Sequence, residues 1–266
     1  MRRMRSRRII HLVLASTLVL GIAACGGDDD DGGGSASPAN DDADATDESA
    51  AFCDALVAAQ DALFSVEVSE DDPSDEEMQA AFETLDPAWA DVEEVAPAQH
   101  EETVEALGDA IDDLGDGDAT AYNDDATSSQ YFGMVADTLE SCDLETAEVT
   151  ALDYAFAGVP ETLPAGRSGL VLVNETENDE RHEFIIFKKA DGDTRSAEEI
   201  LNDPAAQEEG PGEFAGAVFA VPGGTAGSFL DLAPGDYIAV CFIPVGGGED
   251  GPPHFTEGMF AEFSAA

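Results

Sequence analysis

The segment Asp236–Met259, DYIAVCFIPVGGGEDGPPHFTEGM, contains the most specific pattern in the C-terminal part of the chain. β-Branched and aromatic residues dominate its first eight positions, a pattern that favours a strand, and Pro244 ends the run. Cys241 lies late in this strand. A loop of glycine, acidic residues and proline then leads to His254, and four residues separate His254 from Met259. The segment therefore places three soft or borderline donor groups in succession after a strand.

A thiolate, an imidazole and a thioether in this order suit copper. Soft sulfur ligands hold Cu(I), and imidazole binds copper in either oxidation state. A second imidazole is needed from elsewhere in the fold. His182 supplies a candidate at the head of the strand-like run FIIFKK. Of the three histidines that lie beyond residue 24, His182 and His254 are thus candidate ligands.

The order His182, Cys241, His254, Met259 resembles that of the cupredoxins, the blue copper proteins with a Greek-key β-sandwich, over roughly residues 151–263. The resemblance implies that the first three residues are equatorial ligands of one copper ion in a type 1 site, with Met259 as a long axial ligand. It implies electron transfer without enzymatic activity, because no equatorial position stays open for a substrate. The resemblance also includes three short segments: Asn174 after GLVLV, LAPGDY before the cysteine strand, and Gly258-Met259 before FAEF.

The chain departs from the small blue copper proteins in the spacing C-x12-H between Cys241 and His254. Multidomain copper proteins of that fold carry longer ligand loops, and the glycines and acids at 246–250 predict a flexible loop here. Two alternatives to an electron carrier stay open. A copper carrier would use the same ligands in a looser, exposed site, and a copper-free interaction module would keep only the fold.

Residues 1–24 have the pattern of an export signal peptide, with five arginines in the first eight positions and an apolar run behind them. The end of this run, Ile22-Ala23-Ala24-Cys25, resembles the bacterial lipobox, whose cysteine is lipidated. A plain transmembrane anchor is the alternative, although the run is near the lower length limit for a span. We expect an extracytoplasmic lipoprotein that Cys25 anchors to the bacterial cell membrane.

The chain is strongly acidic, with 59 acidic and 10 basic residues and a net charge of −49. Nucleic acid is excluded as a partner, because polyanions are bound by Lys and Arg. The charge keeps a protein soluble and also suits a basic redox partner protein.

Residues 25–49 are rich in Gly, Asp and Ser and predict a disordered acidic tether. A calcium site at Asp28–Asp31 is the alternative, but this run lacks the interleaved carbonyl and glutamate positions of a dedicated calcium loop, so the tether is favoured.

Residues 50–148 predict a bundle of helices, because apolar residues recur at helical spacing. Ser74 and Glu77 form a capping-box pattern at the start of one helix, and Pro87 is predicted to begin another. His100 is predicted on the surface. The predicted segments are Ala51–Val66, Asp75–Leu85, a stretch from Pro87, Thr103–Leu114 and Ala119–Leu139.

Cys53 and Cys142 lie near the first and last turns of this bundle. In an exported protein the placement favours a disulfide between them, with two unpaired thiols as the alternative. Nothing in residues 50–148 indicates catalysis.

Residues 150–266 change to short strand patterns separated by turn signals, beginning with the alternation of Leu152, Tyr154 and Phe156. Six or seven such strands favour a sandwich over an α/β fold. One short helix is predicted at 196–202, followed by a loop over 203–212. The predicted fold class is thus multidomain, an N-terminal all-α helical bundle followed by an all-β Greek-key cupredoxin-like sandwich.

Overall fold

A computed structural model describes residues 41–66, 68, 73–247 and 251–266, with the backbone alone at 41–47 and 207–209. The signal peptide, Cys25 and the tether up to residue 40 lie outside the described residues. Within the described ranges, every helix is too short or too polar to cross a membrane.

Four helices precede the sheets: α1 (Asp41–Ser65), α2 (Asp75–Val95), α3 (Glu101–Gly115) and α4 (Asp125–Leu139). The first begins earlier than predicted, so residues 41–49, which the sequence predicts as part of the tether, are helical. Alanine, the strongest helix former, occurs at positions 43 and 45, and the acidic residues at 41, 42 and 44 favour the N-terminal turn of a helix.

Pro87 lies inside α2, and the prediction that it begins a new helix is wrong. A proline in a helix interior costs about 3 kcal/mol. Trp89 and Val92, which follow it, are buried on the same face as Leu85. Burial of a large apolar side chain stabilises the fold by about 1.5–3 kcal/mol, so these two residues offset the cost of the proline. The Trp89 indole also donates a 3.1 Å hydrogen bond to the carbonyl of Val104 in α3. The predicted Ser74–Glu77 capping box is present.

His100 is buried at 7% exposure, so its predicted surface position is wrong. Its ring stacks on Phe52 of α1 with centroids 5.6 Å apart, and this contact removes the imidazole from water. Burial lowers the pKa of His100, while Asp137 raises it to a smaller extent. His100 is therefore a neutral core residue of the helical part.

The predicted disulfide between Cys53 of α1 and Cys142 is confirmed. It joins the first helix to the turn after the last across 89 residues. In the chain-entropy model, closing a loop of this length stabilises the fold by on the order of 4–5 kcal/mol.

The C-terminal part is a sandwich of two mixed sheets. The four-stranded sheet has the order β2-β1-β4-β7, and the five-stranded sheet has the order β3-β9-β8-β5-β6. The pairs β1–β4 and β3–β9 are parallel, and the other pairs are antiparallel. The strands are β1 (Thr146–Leu152), β2 (Ala155–Ala157), β3 (Thr162–Leu163), β4 (Gly166–Asn174), β5 (His182–Lys188), β6 (Glu213–Ala220), β7 (Thr225–Leu232), β8 (Gly235–Val240) and β9 (Phe260–Ala265).

Two local predictions in this part need correction. The alternating stretch 152–156 is interrupted by a turn at Asp153 and Tyr154 between β1 and β2, where the Asp153 carboxylate accepts hydrogen bonds from the hydroxyl of Thr176 and the backbone N–H of Glu177, both at 2.8 Å. The predicted loop 203–212 contains a second short helix, α6 (Pro204–Glu209), after α5 (Ala197–Leu201). Asp203 caps α6 and Pro204 opens it.

The helices pack directly on the four-stranded sheet through α4 and β7. A Cβ atom at Gly227 of β7 would lie 2.5 Å from the backbone nitrogen of Ala136 in α4, so only glycine permits this approach. Gln60 of α1 is buried and bonds both backbone groups of Phe229, at 2.6 and 3.0 Å. One hydrophobic core therefore extends through both parts, and the predicted boundary at 148–150 falls inside β1.

Candidate metal centre

Three adjacent strands bring the predicted ligands to one end of the five-stranded sheet, where β8 lies between β9 and β5. His182 opens β5, and Cys241 directly follows β8. His254 begins a 3₁₀ turn, and Met259 directly precedes β9. Each of the four residues has 0% of its surface exposed. Residues far apart in sequence thus meet in one buried cluster.

The donor atoms of His182, Cys241 and His254 lie within 4.8 Å of one another. Cys241 Sγ is 3.3 Å from His254 Nδ1 and 4.0 Å from His182 Nδ1, and the two Nδ1 atoms are 3.2 Å apart. Metal bonds of about 2.0–2.3 Å to nitrogen and sulfur require donors roughly 3.3–3.7 Å apart around one ion. The observed separations bracket this range, so the three side chains fit a single small ion.

Met259 is connected to both neighbouring ligands through its backbone. The N–H of Cys241 donates to the carbonyl of Met259 at 3.2 Å, and the N–H of Met259 donates to the carbonyl of His254 at 3.2 Å. The backbone of Met259 is therefore held against the backbones of Cys241 and His254.

The long segment between Cys241 and His254 is closed at its base by backbone pairing. The N–H of His254 donates to Ile243 at 2.8 Å, and the N–H of Phe255 donates to Cys241 at 3.0 Å. Pro244 and Pro253 form a bridge above these bonds. The C-x12-H spacing therefore leaves the two ligands adjacent, because this backbone pairing brings the two ends of the loop together.

Gly251 permits the next step of this pairing, between Val245 and Pro252 at 2.9 Å. A Cβ atom at Gly251 would overlap the carbonyl of Val245. Residues 248–250, where part of the predicted flexibility lies, are outside the described residues.

Burial sets the protonation of all three donors. It raises the pKa of the Cys241 thiol, and the nearby Glu183 carboxylate raises it further. Burial also lowers the pKa of His182, to about 4, with a contribution from His254. The pKa of His254 is lowered by burial against the opposing effect of Glu180. At neutral pH the site thus holds a thiol and two neutral imidazoles, and a metal must displace the thiol proton to bind the sulfur.

Two glutamates beside the ligands were missed in the sequence. Glu183 is 6% exposed, and its carboxylate accepts a 2.6 Å hydrogen bond from the backbone N–H of Phe242, next to Cys241. Glu180 Oε2 lies 3.5 Å from Nε2 of His254. An acid next to His182 in an otherwise apolar strand was a signal for Glu183, whereas Glu180 lies in a loop with several acids and gave none.

No family model matches the chain, and no curated protein matches it. Among solved structures, it is similar to reduced auracyanin from the photosynthetic bacterium Roseiflexus castenholzii, with 20% identity, a TM-score of 0.32 and coverage of 46% of this chain and 96% of that one. Auracyanin A, a "blue" copper protein from Chloroflexus aurantiacus, has 18% identity and a TM-score of 0.29 over 46% and 98%. A multicopper oxidase from Pediococcus acidilactici has 13% identity and a TM-score of 0.28 over 47% and 26%. At these scores the likeness carries no argument, and the candidate centre rests on its own geometry.

Proposed function

We propose that this protein binds one copper ion through His182, Cys241 and His254, with Met259 as a weak axial ligand, and carries electrons. The observation that supports the proposal is the buried group of one sulfur and two imidazole donors within 4.8 Å. Two histidines and one cysteine with a weak methionine are the donor set of blue copper centres. Bound copper would supply a one-electron couple between Cu(I) and Cu(II).

The chain's own residues favour electron transfer over catalysis and over copper delivery. All four proposed ligands are buried, so neither a substrate nor a copper acceptor reaches them directly. The paired base of the ligand loop holds Cys241 and His254 in place, which favours a rigid site over a labile one. The protein is therefore proposed to have no enzymatic activity of its own.

The proposed setting is extracytoplasmic, on the bacterial cell membrane. Lipidation at Cys25 is supported by the leader pattern of residues 1–25, and the acidic tether would separate the folded part from the membrane. The net charge of −49 favours a redox partner with a basic docking surface. Nucleic acid is disfavoured as a partner for the same reason.

A Cu(II) titration of the detergent-solubilised full chain, followed by absorption spectroscopy, tests the proposal. We expect an intense blue thiolate-to-copper band that saturates at one equivalent and disappears in Cys241→Ser. Absence of tight copper uptake by the wild-type chain would refute the copper site. In that case the sandwich would serve as a copper-free interaction module.

A further inference from the structure

Glu180 lies on the Nε2 side of the His254 ring, whereas the other donor groups lie on its Nδ1 side. It lies in the loop before β5, its side chain is 10% exposed, and its Oε2 is 3.5 Å from His254 Nε2. The Nδ1 atom of the same imidazole lies 3.3 Å from Cys241 Sγ and 3.2 Å from Nδ1 of His182. One ring nitrogen of His254 therefore faces the proposed metal, and the other faces a carboxylate.

Nε2 of His254 is buried and makes no hydrogen bond within the described part of the chain. A neutral imidazole carries its proton on one nitrogen and a lone pair on the other. If Nδ1 is to bind a metal, the proton is on Nε2, where a buried N–H without an acceptor is costly. Glu180 is the acceptor on that side, about 0.3–0.8 Å beyond ordinary N–H···O distances, which a small tilt of the ring would close.

The Glu180 side chain is itself held by the surrounding loops. Its Oε1 accepts from the backbone N–H of Gly246 in the ligand loop, and its Oε2 accepts from the amide of Asn178. Tyr154 packs edge-on against the His254 ring, with centroids 5.0 Å apart. The carboxylate therefore joins the ligand loop to the loop before β5 and has a fixed direction toward the imidazole.

We propose that Glu180 is a positioning residue that accepts the Nε2 proton of His254 and thereby directs its Nδ1 lone pair toward the metal. The inference rests on the proposed copper site for its purpose, but the tautomer of His254 exists without metal. Carboxylate partners of this kind fix the orientation of a ligating histidine and raise its basicity. His182, whose Nε2 is also buried without a hydrogen bond in the described residues, is the internal contrast.

The test combines a metal-free and a metal-dependent measurement on the full chain. Ring ¹⁵N NMR of the apoprotein is expected to show His254 protonated at Nε2 in the wild type. In Glu180→Gln, which keeps the side-chain size, we expect a mixture of tautomers and a Cu(II) affinity about 10- to 100-fold lower. Glu177→Gln removes an exposed charge from the same loop, and it should change neither reading.

Protonation of His254 at Nδ1 in the wild-type apoprotein would overturn the inference. So would a wild-type tautomer together with wild-type affinity in Glu180→Gln. Failure of the wild type to bind copper refutes the proposed function instead, and the tautomer measurement still decides the role of Glu180. A partial return of affinity in Glu180→Asp would support a direct carboxylate contact.

Discussion

The contact between the helices and β7 differs from the candidate metal centre in how its buried polar groups are satisfied. Where the helices meet β7, the buried amide of Gln60 is satisfied by Ser228 and Phe229, and a disulfide closes the bundle. At the candidate metal centre, by contrast, buried imidazole nitrogens of His182 and His254 make no hydrogen bond within the described residues. The first region stabilises the fold. In the second region, the buried nitrogens without hydrogen bonds lower the stability of the fold but keep the donor groups in place for a ligand.

The largest expected effect concerns the stabilising region. The double change Cys53→Ala and Cys142→Ala should lower the free energy of unfolding by on the order of 4–5 kcal/mol, because it removes an 89-residue covalent loop. Denaturant unfolding followed by circular dichroism measures this loss. The copper spectrum at low temperature should not change, and its loss would show that the two regions are more tightly coupled than the contrast implies.

Copper binding at the candidate metal centre should raise the free energy of unfolding. At a free concentration one hundred times the dissociation constant, binding to the native state adds about 2.7 kcal/mol to the free energy of unfolding. Thermal unfolding with and without copper measures the gain, which His254→Ala should abolish. An equal gain in that variant would place the ion elsewhere.

The contact between α4 and β7 provides a third test. Gly227→Ala places a methyl group 2.5 Å from the backbone of Ala136 and should destabilise the protein by about 1–3 kcal/mol through overpacking. Gly133→Ala in α4 is the matched control, because a Cβ atom there meets nothing within 4 Å. Helix propensity predicts that this control is stabilised by up to about 1 kcal/mol. Equal losses in both variants would remove the close approach as the cause.

The smallest expected effect is a pH dependence in the helical part. Burial holds the pKa of His100 below its ordinary value, so protonation favours the unfolded chain. Its contribution to stability is complete above about pH 6.5 and decreases as the pH falls below that value. In His100→Gln, the urea midpoint should decrease less between pH 7 and pH 5 than in the wild type. A steeper decrease in the variant would contradict the assigned direction.

Sequence reasoning succeeded where a residue type has few alternatives in a given pattern. Ser74 and Glu77 cap a helix as predicted, and the paired cysteines form their disulfide. The order His182, Cys241, His254 indicated three residues that the fold does bring together.

It failed where tertiary contacts decide between local options. Pro87 is predicted to begin a new helix, but the burial of Trp89 continues α2 through it. His100 resembles a surface residue until Phe52 of another helix is placed against it. Glu180 is one of several acids in a polar loop, and its orientation toward His254 depends on a backbone N–H from Gly246. Such roles arise from contacts between distant segments, which no local pattern encodes.

Backbone hydrogen bonds at the base of the ligand loop join Phe255 to Cys241 and His254 to Ile243. Because Ile243 and His254 are joined directly, the distance from sulfur to imidazole does not depend on how many residues follow Pro244. A change of chain length beyond Gly247 would therefore leave this pairing, and the contact of Gly246 with Glu180, in place.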